Sequence, residues 1–597
     1  MIAFGIFGTL VLLMMLTVLE LNKNTLLGFI LLLLVAAGFA VLFGKVLHGG
    51  KWYWKVLAWI GFLAAFVGIL FLTRPPHKRV PAYEGSKPVY TEVVSLEKGD
   101  VRGVVIDGGK VELYAGIPYA KPPVGDLRWR EPQDPEPWDG VLDADHFAPM
   151  CMQPTNPPII NSLKQIFGYH EYSVTLSDNY LPDNSEDGLY VNVWKPAGKV
   201  EGLPVLVYVH GGTLQSGQTW YADYAGTGLA REGVVVVNLG YRLGIFGFFA
   251  DEELRAESPN GTTGNYGLLD QIKALEWVRD NVAAFGGDPN NVTLAGESAG
   301  AASVSALCTS PLAKGLFRRV LIESSTVASA VPPHSFRSYE EAIASGEELK
   351  ARYGVKTVEE LRKIDADKLV NEAYTQHHIT VDGYVLLETP YESYRKGAYN
   401  EEAILHGYNS EESGPFLVFG GANLKNYEEK VRGYFGDYAD EVLALYHPTT
   451  DGEAKTYWAQ IYGAVFFNYP HYCLNRLAVE NGVPVYEYYF TKHNGRLGAW
   501  HSGEQMYFYG NLPEGSRLFD DGDYALGETV LGYIGNYLAA GDPNGEGLPA
   551  WETAEDSARI LEIGETVGMT DERYLAFYAI MDRMTGWEEK AQSADGQ

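Results

Sequence analysis

Cysteine is scarce in this chain: Cys151, Cys308 and Cys473 are the only three among 597 residues. So few exclude a disulfide framework and a cysteine-built metal site, and they leave the compartment open. Positive charge is also short, with 46 Lys and Arg against 76 Asp and Glu, a formal charge of −30. A surface of that sign repels a phosphate backbone instead of releasing its counterions, so nucleic acid is excluded as a partner. The same field either favours neutral or cationic substrates or serves solubility alone. No internal repeat, metal-ligating spacing, phosphate-binding loop or dinucleotide fingerprint occurs, so no cofactor is expected. What is present is a globular composition, 46% hydrophobic and 13% aromatic. The length exceeds the roughly 250–300 residues at which one hydrophobic core stops growing, so the chain is multi-domain or heavily inserted.

The amino terminus is apolar. Residues 1–19, 26–44 and 56–72 are uncharged and each approaches the ~20 residues that cross a bilayer, which predicts three transmembrane helices within 1–73. A signal peptide is the competing reading of the first. No Lys or Arg precedes it, no small-residue cleavage site follows it, and two further apolar segments come after. Trp52, Tyr53 and Trp54 suit the headgroup layer before the third segment. Basic residues flank both sides almost equally, with a slight lean to a large domain outside the cytoplasm.

Residues 74–96 combine Pro75, Pro76 and Pro81 with charge and read as a linker, with a soluble domain over 97–590. Within that domain, runs 205–209, 234–237 and 291–295 are continuous and mostly β-branched or apolar, as buried parallel strands are. Between the last two, Leu268, Leu269, Ile272, Leu275 and Val278 recur at helical spacing over 265–285. Alternating strands and helices predict an α/β fold with a mostly parallel sheet, whose chemistry sits on loops beyond the carboxyl ends of strands.

The third run leads into Gly296-Glu297-Ser298-Ala299-Gly300 and then small, helix-compatible residues. Strand, G-x-S-x-G, helix is the arrangement that lifts a serine above a sheet on a strained turn, with glycines admitting the neighbouring backbone. A hydroxyl nucleophile also needs a base, an acid to orient the base, and donors for the oxyanion. The run 205–209 ends in His210-Gly211-Gly212-Thr213, so Gly211, Gly212 and Thr213 offer backbone N–H donors, which the N–H of Ala299 would complete.

These residues resemble the type-B carboxylesterase/lipase family, the group that includes the cholinesterases, within the α/β-hydrolase fold. The resemblance runs over nearly the whole soluble part. It is carried by blocks 113–120 and 122–128, by Ser185-Glu186-Asp187, and by Gly541-Asp542-Pro543-Asn544-Gly545. The most specific blocks are 264–271 and 285–292, followed by the serine motif. The resemblance implies a two-step ester hydrolysis without cofactor, acting on small-molecule esters. It further implies Glu412 as the acid, with adjacent Glu411 competing, and His501 as the base in His501-Ser502-Gly503-Glu504. Ser324 matches a serine that lies beside the triad, and Arg128 with Glu186 and Arg242 with Asp270 match structural ion pairs. Two other readings stay open: a catalytically silent cell-surface scaffold on the same fold, and a lipase.

Some residues depart from the family pattern. Thr213 stands where a third glycine is usual, and Ser413 and Ser502 replace common glycines. Gly188 stands where a cysteine is frequent, which leaves Cys151 without a disulfide partner and implies a looser loop. No tryptophan occurs between Cys151 and Gly188, which disfavours choline esters.

Overall fold

The computed structural model describes residues 2–164, 180–418, 420–493, 498–515, 518–555 and 558–587. The expected domain end at residue 590 and residues 165–179 of the loop between Cys151 and Gly188 lie outside them. Two compact units are present: 1–80 with 155–183, and 81–154 with 184–597.

The first unit is built on three helices, α1 (Ile2–Leu21), α2 (Leu26–Val41, continued by a π-helical turn to Val46) and α3 (Trp52–Leu72). Met15, Leu19, Leu32, Phe62 and Ile69 pack between them. Their outer faces are also apolar, with Leu10, Leu34, Leu63 and Phe71 exposed. Polar groups close one end: buried Asn24 donates to the Thr73 hydroxyl and to the Leu70 carbonyl, both at 2.9 Å. Only Leu26–Val46 and Trp52–Leu72, 21 residues each, are long and apolar enough to cross a membrane among the described residues; the apolar stretch of α1 is shorter.

Part of the expected linker is structured. His77–Lys78 pairs with Leu181–Pro182, and Val94–Leu96 pairs with Gly99–Arg102. Prolines interrupt helices without preventing such short extended pairings.

The second unit is organised by an eleven-stranded sheet. In chain order its strands are β1 (Val104–Ile106), β2 (Val111–Pro118), β3 (Tyr190–Pro196), β4 (Leu203–Val209), β5 (Val235–Leu239), β6 (Gly287–Glu297), β7 (Arg319–Glu323), β8 (Ile404–Asn409), β9 (Val485–Phe490), β10 (Arg559–Ile563) and β11 (Val567–Asp571). Across the sheet they run β1-β2-β3-β5-β4-β6-β7-β8-β9-β10-β11. Every pairing from β5 to β10 is parallel, and the strands outside them are antiparallel. The β-branched runs expected as parallel strands form β4, β5 and β6, fully buried over Val205–Val209 and Val235–Leu239. The helical spacing over 265–285 becomes α4 (Tyr266–Asn281) and a 3₁₀ turn through Phe285.

Two ion pairs lock the segments around this core. Arg128 holds Glu186 through two bonds of 2.6 Å, and Arg242 holds Asp270 on α4 at 2.8 and 2.7 Å. Cys151 is a buried free thiol. A side chain at Gly188 would lie 2.6 Å from its sulfur, so the glycine is what lets the two segments meet.

Arg242 and Asp270 are both almost wholly buried. Asp270→Asn therefore strands a guanidinium without its counter-charge and is expected to destabilise the protein by about 3–5 kcal/mol, read as a lowered urea midpoint.

Candidate active site

β6 ends at Glu297 and α5 (Ala299–Leu307) starts two residues later, leaving Ser298 alone at the turn with φ 56° and ψ −125°. That conformation is strained for a residue with a Cβ. Close packing enforces it. The Ser298 N–H donates to the Glu323 carbonyl at 2.8 Å. A Cβ at Gly296 would lie 2.6 Å from the Gly300 carbonyl carbon, and one at Gly300 would collide with the Val209 carbonyl oxygen. The two motif glycines thus let the turn fold flat against β4.

The loop after β4 rises beside this turn. A Cβ at Gly211 would sit 3.0 Å from Ser298 Cβ. Gly212 has φ 110°, and both Thr213 and Leu214 take left-handed φ, 58° and 57°. Thr213 thus holds, with a branched side chain, a backbone shape that favours glycine. Among the described residues no acceptor takes the N–H of Gly211, Gly212, Thr213 or Ala299. The loop is braced from below. His210 stacks on Tyr241 at 4.6 Å, and burial lowers its pKa to about 4, so it is a neutral strut at pH 7. Gln153 clamps Gly217 from both sides, donating to its carbonyl at 2.7 Å and accepting its N–H at 2.9 Å.

The two candidate acids separate. Glu412 is 1% exposed, and its Oε2 meets His501 Nδ1 at 2.5 Å, while Oε1 accepts the Asn409 N–H at 2.7 Å. The Glu411 side chain is 48% exposed and lies 3.4 Å from His493 instead. His501 is buried under Phe467 and Phe416, at centroid distances of 4.9 and 5.2 Å. Phe467 lies on a π-helical turn, Ala464–Asn468, between α6 (Asp451–Gly463) and α7 (Tyr469–Glu480). Ser324 reaches Glu504 Oε1 at 3.2 Å and does not touch His501. Asn409 Nδ2 bonds the other oxygen of Glu504 and the Trp500 carbonyl.

Glu297, the variable position inside the serine motif, was not singled out by the sequence. Its Oε1 lies 3.1 Å from His501 Nε2 and accepts the Ser502 hydroxyl at 2.6 Å. Ser502 itself holds φ 74°. The imidazole is therefore flanked by a carboxylate on each nitrogen. Burial alone would lower its pKa, but Glu297 and Glu412, with Glu504 behind them, outweigh that and raise it to about 9. Burial, then Glu412 and Glu297, raises Glu504 to about 8, and burial holds Glu297 above the usual carboxylate range. A partly exposed serine on an elbow, free N–H groups around it and an imidazole on a carboxylate match what acyl transfer asks of a site.

The family model described as the carboxylesterase family matches residues 90–580. This chain belongs to the carboxylesterase family. It is a carboxylic ester hydrolase on the α/β-hydrolase fold. It is 34% identical over 497 residues to fumonisin B1 esterase of Sphingopyxis macrogoltabida, covering 79% of this chain and 86% of that protein. Carboxylesterase 1C of Mus musculus is 33% identical over 512 residues, covering 79% and 89%. A carboxylesterase structure from Geobacillus stearothermophilus superposes with a TM-score of 0.69 at 30% identity, covering 82% of this chain and all of that one.

Ester hydrolysis that needs a neutral His501 is expected to climb with pH toward about 9. Glu297→Gln removes one negative charge from Nε2 and should move the acid limb of kcat/KM to lower pH. A limb that stays in place would show that Glu297 does not act on the imidazole.

Proposed function

We propose that this carboxylesterase works through a Ser298–His501–Glu412 triad. Ser298 Oγ bonds to the ester carbonyl carbon and passes its proton to His501 Nε2. Glu412 holds the imidazole through Nδ1 and stabilises its charged form. The carbonyl oxygen becomes an oxyanion taken by the N–H groups of Gly212, Thr213 and Ala299, with Gly211 shaping the loop. Collapse breaks the bond to the alcohol, which leaves with the proton from His501. Water then attacks the acyl-serine by the same route and releases the acid.

The observation that carries this reading is the 2.5 Å contact between Glu412 and His501 beside a strained serine and unused N–H groups. Nε2 lies 3.1 Å from Glu297, and in the proposed step it turns to Ser298 Oγ as the ester binds. Such contacts commonly tighten only with substrate in place. Ser298→Ala should abolish hydrolysis of a p-nitrophenyl acyl ester and labelling by a fluorophosphonate. Glu412→Gln should lower the rate far more than Glu411→Gln, and equal losses would overturn the choice of acid.

We also read α1–α3 as a membrane anchor for the catalytic unit, which lies outside the cytoplasm. Supporting this are the apolar outer faces and the 21-residue length of the two longer helices. The full chain should stay with membranes through an alkaline carbonate wash, and release into the supernatant would refute the anchor.

A further inference from the structure

In a chain of charge −30, one cluster beside His501 has the opposite character. A two-stranded parallel ribbon pairs Phe336–Arg337 with Ile379–Thr380. His334 leads into one strand and His377 and His378 into the other, and the Ile379 N–H donates to the Ser335 carbonyl at 2.9 Å. The rings of His377 and His378 are 4.1 Å apart. His334 Nε2 bonds the Phe466 carbonyl at 2.9 Å, and its ring is 5.8 Å from that of Phe467, the ring that covers His501.

Arg337 closes the cluster. It is 9% exposed, and its Nη2 donates to the Phe248 carbonyl at 2.8 Å and to Gln376 at 3.3 Å. Its Nε and the Nδ1 of His378 are buried without a hydrogen-bond partner. No carboxylate forms an ion pair with Arg337 among the described residues. Glu341, the carboxylate whose field reaches it, is spent on the N–H and hydroxyl of Ser338 at 2.9 Å. Burial lowers Arg337 to about 10, which still leaves it cationic at neutral pH. Burial, then the neighbouring His377, Arg337 and His334, lowers His378 to about 3. A buried guanidinium is normally paired. This one meets only neutral acceptors at Nη2, has none at Nε and faces no anion among the described residues.

We propose that this cluster is a carboxylate-binding subsite, and that the enzyme acts on esters of dicarboxylic acids whose acyl group carries a free carboxylate. The proposal rests on the Ser298 reading and extends it outward past Phe467 to a second anchor for the acyl group. Arg337 supplies the charge and His378 a neutral N–H donor. The net negative charge of the protein opposes a carboxylate on average, so the local inversion orients the substrate as well as holding it.

The test compares 4-nitrobenzyl hydrogen glutarate with 4-nitrobenzyl valerate, equal in chain length and differing in the terminal carboxylate. The full-length protein should prefer the glutarate by about tenfold or more in kcat/KM. Arg337→Met and His378→Phe should each pull that ratio toward one, through KM, and free glutarate should inhibit valerate hydrolysis less at high salt. Thermal unfolding checks each variant, and the half-buried His378 position keeps the comparison available if the Arg337 variant does not fold. A ratio at or below one, with no inhibition by glutarate, overturns the subsite while leaving the esterase intact. If neither ester turns over and a fluorophosphonate leaves Ser298 unlabelled, the Ser298 reading fails and the subsite fails with it.

Discussion

The site depends on one buried imidazole held between carboxylates. Glu412 reaches His501 from the loop after β8, and Glu297 reaches it from the end of β6. Both acids are almost wholly buried, so neither charge is tolerable without the proton the ring shares with them. Ser502 ties Glu297 to the loop that carries the histidine, and Asn409 ties Glu412 to Glu504. Loops distant in sequence are thus fixed by one small network, and that network also sets the basicity of the imidazole.

The parallel sheet supplies the frame in which this network assembles. β4, β6, β8 and β9 all point their carboxyl ends the same way, so the loops bearing Gly211 to Thr213, Ser298, Glu412 and His501 emerge at a common edge. This is the rule that ligands bind beyond the carboxyl ends of an open α/β sheet. Close packing of Gly300 against Val209 of β4, with Gly296 folded onto Gly300, brings the serine turn close to the glycine loop.

Much of this was legible in the sequence because it is local. Continuous β-branched runs mark strands buried on both faces, and β4 and β5 appear within one residue or two of those runs. The serine turn is readable because its backbone shape demands small flanking residues. Family resemblance carried Glu412 and His501, which no periodicity distinguishes from other acids and histidines. Contacts across long sequence separations were not legible. Glu297 occupies the free position of its motif, so nothing marks it until folding brings Ser502 and His501 to it. Gln153 looks like any polar loop residue until it brackets Gly217. The π-helical turn over Ala464–Asn468 leaves no sequence trace beyond an aromatic pair. The short pairings of His77–Lys78 and Val94–Leu96 involve too few residues to register as alternation.

Thr213, Leu214, Ser298, Ser324 and Ser502 all hold left-handed backbone without being glycine, and all five belong to the loops around Ser298 and His501. Each such residue stores strain on the order of 1–3 kcal/mol. These loops therefore have much to gain from relaxation, and selection for heat resistance alone would drift toward glycine there. Such drift would harden the scaffold while loosening the backbone beside Ser298, so durability and local order pull against each other at Leu214, Ser298 and Ser324.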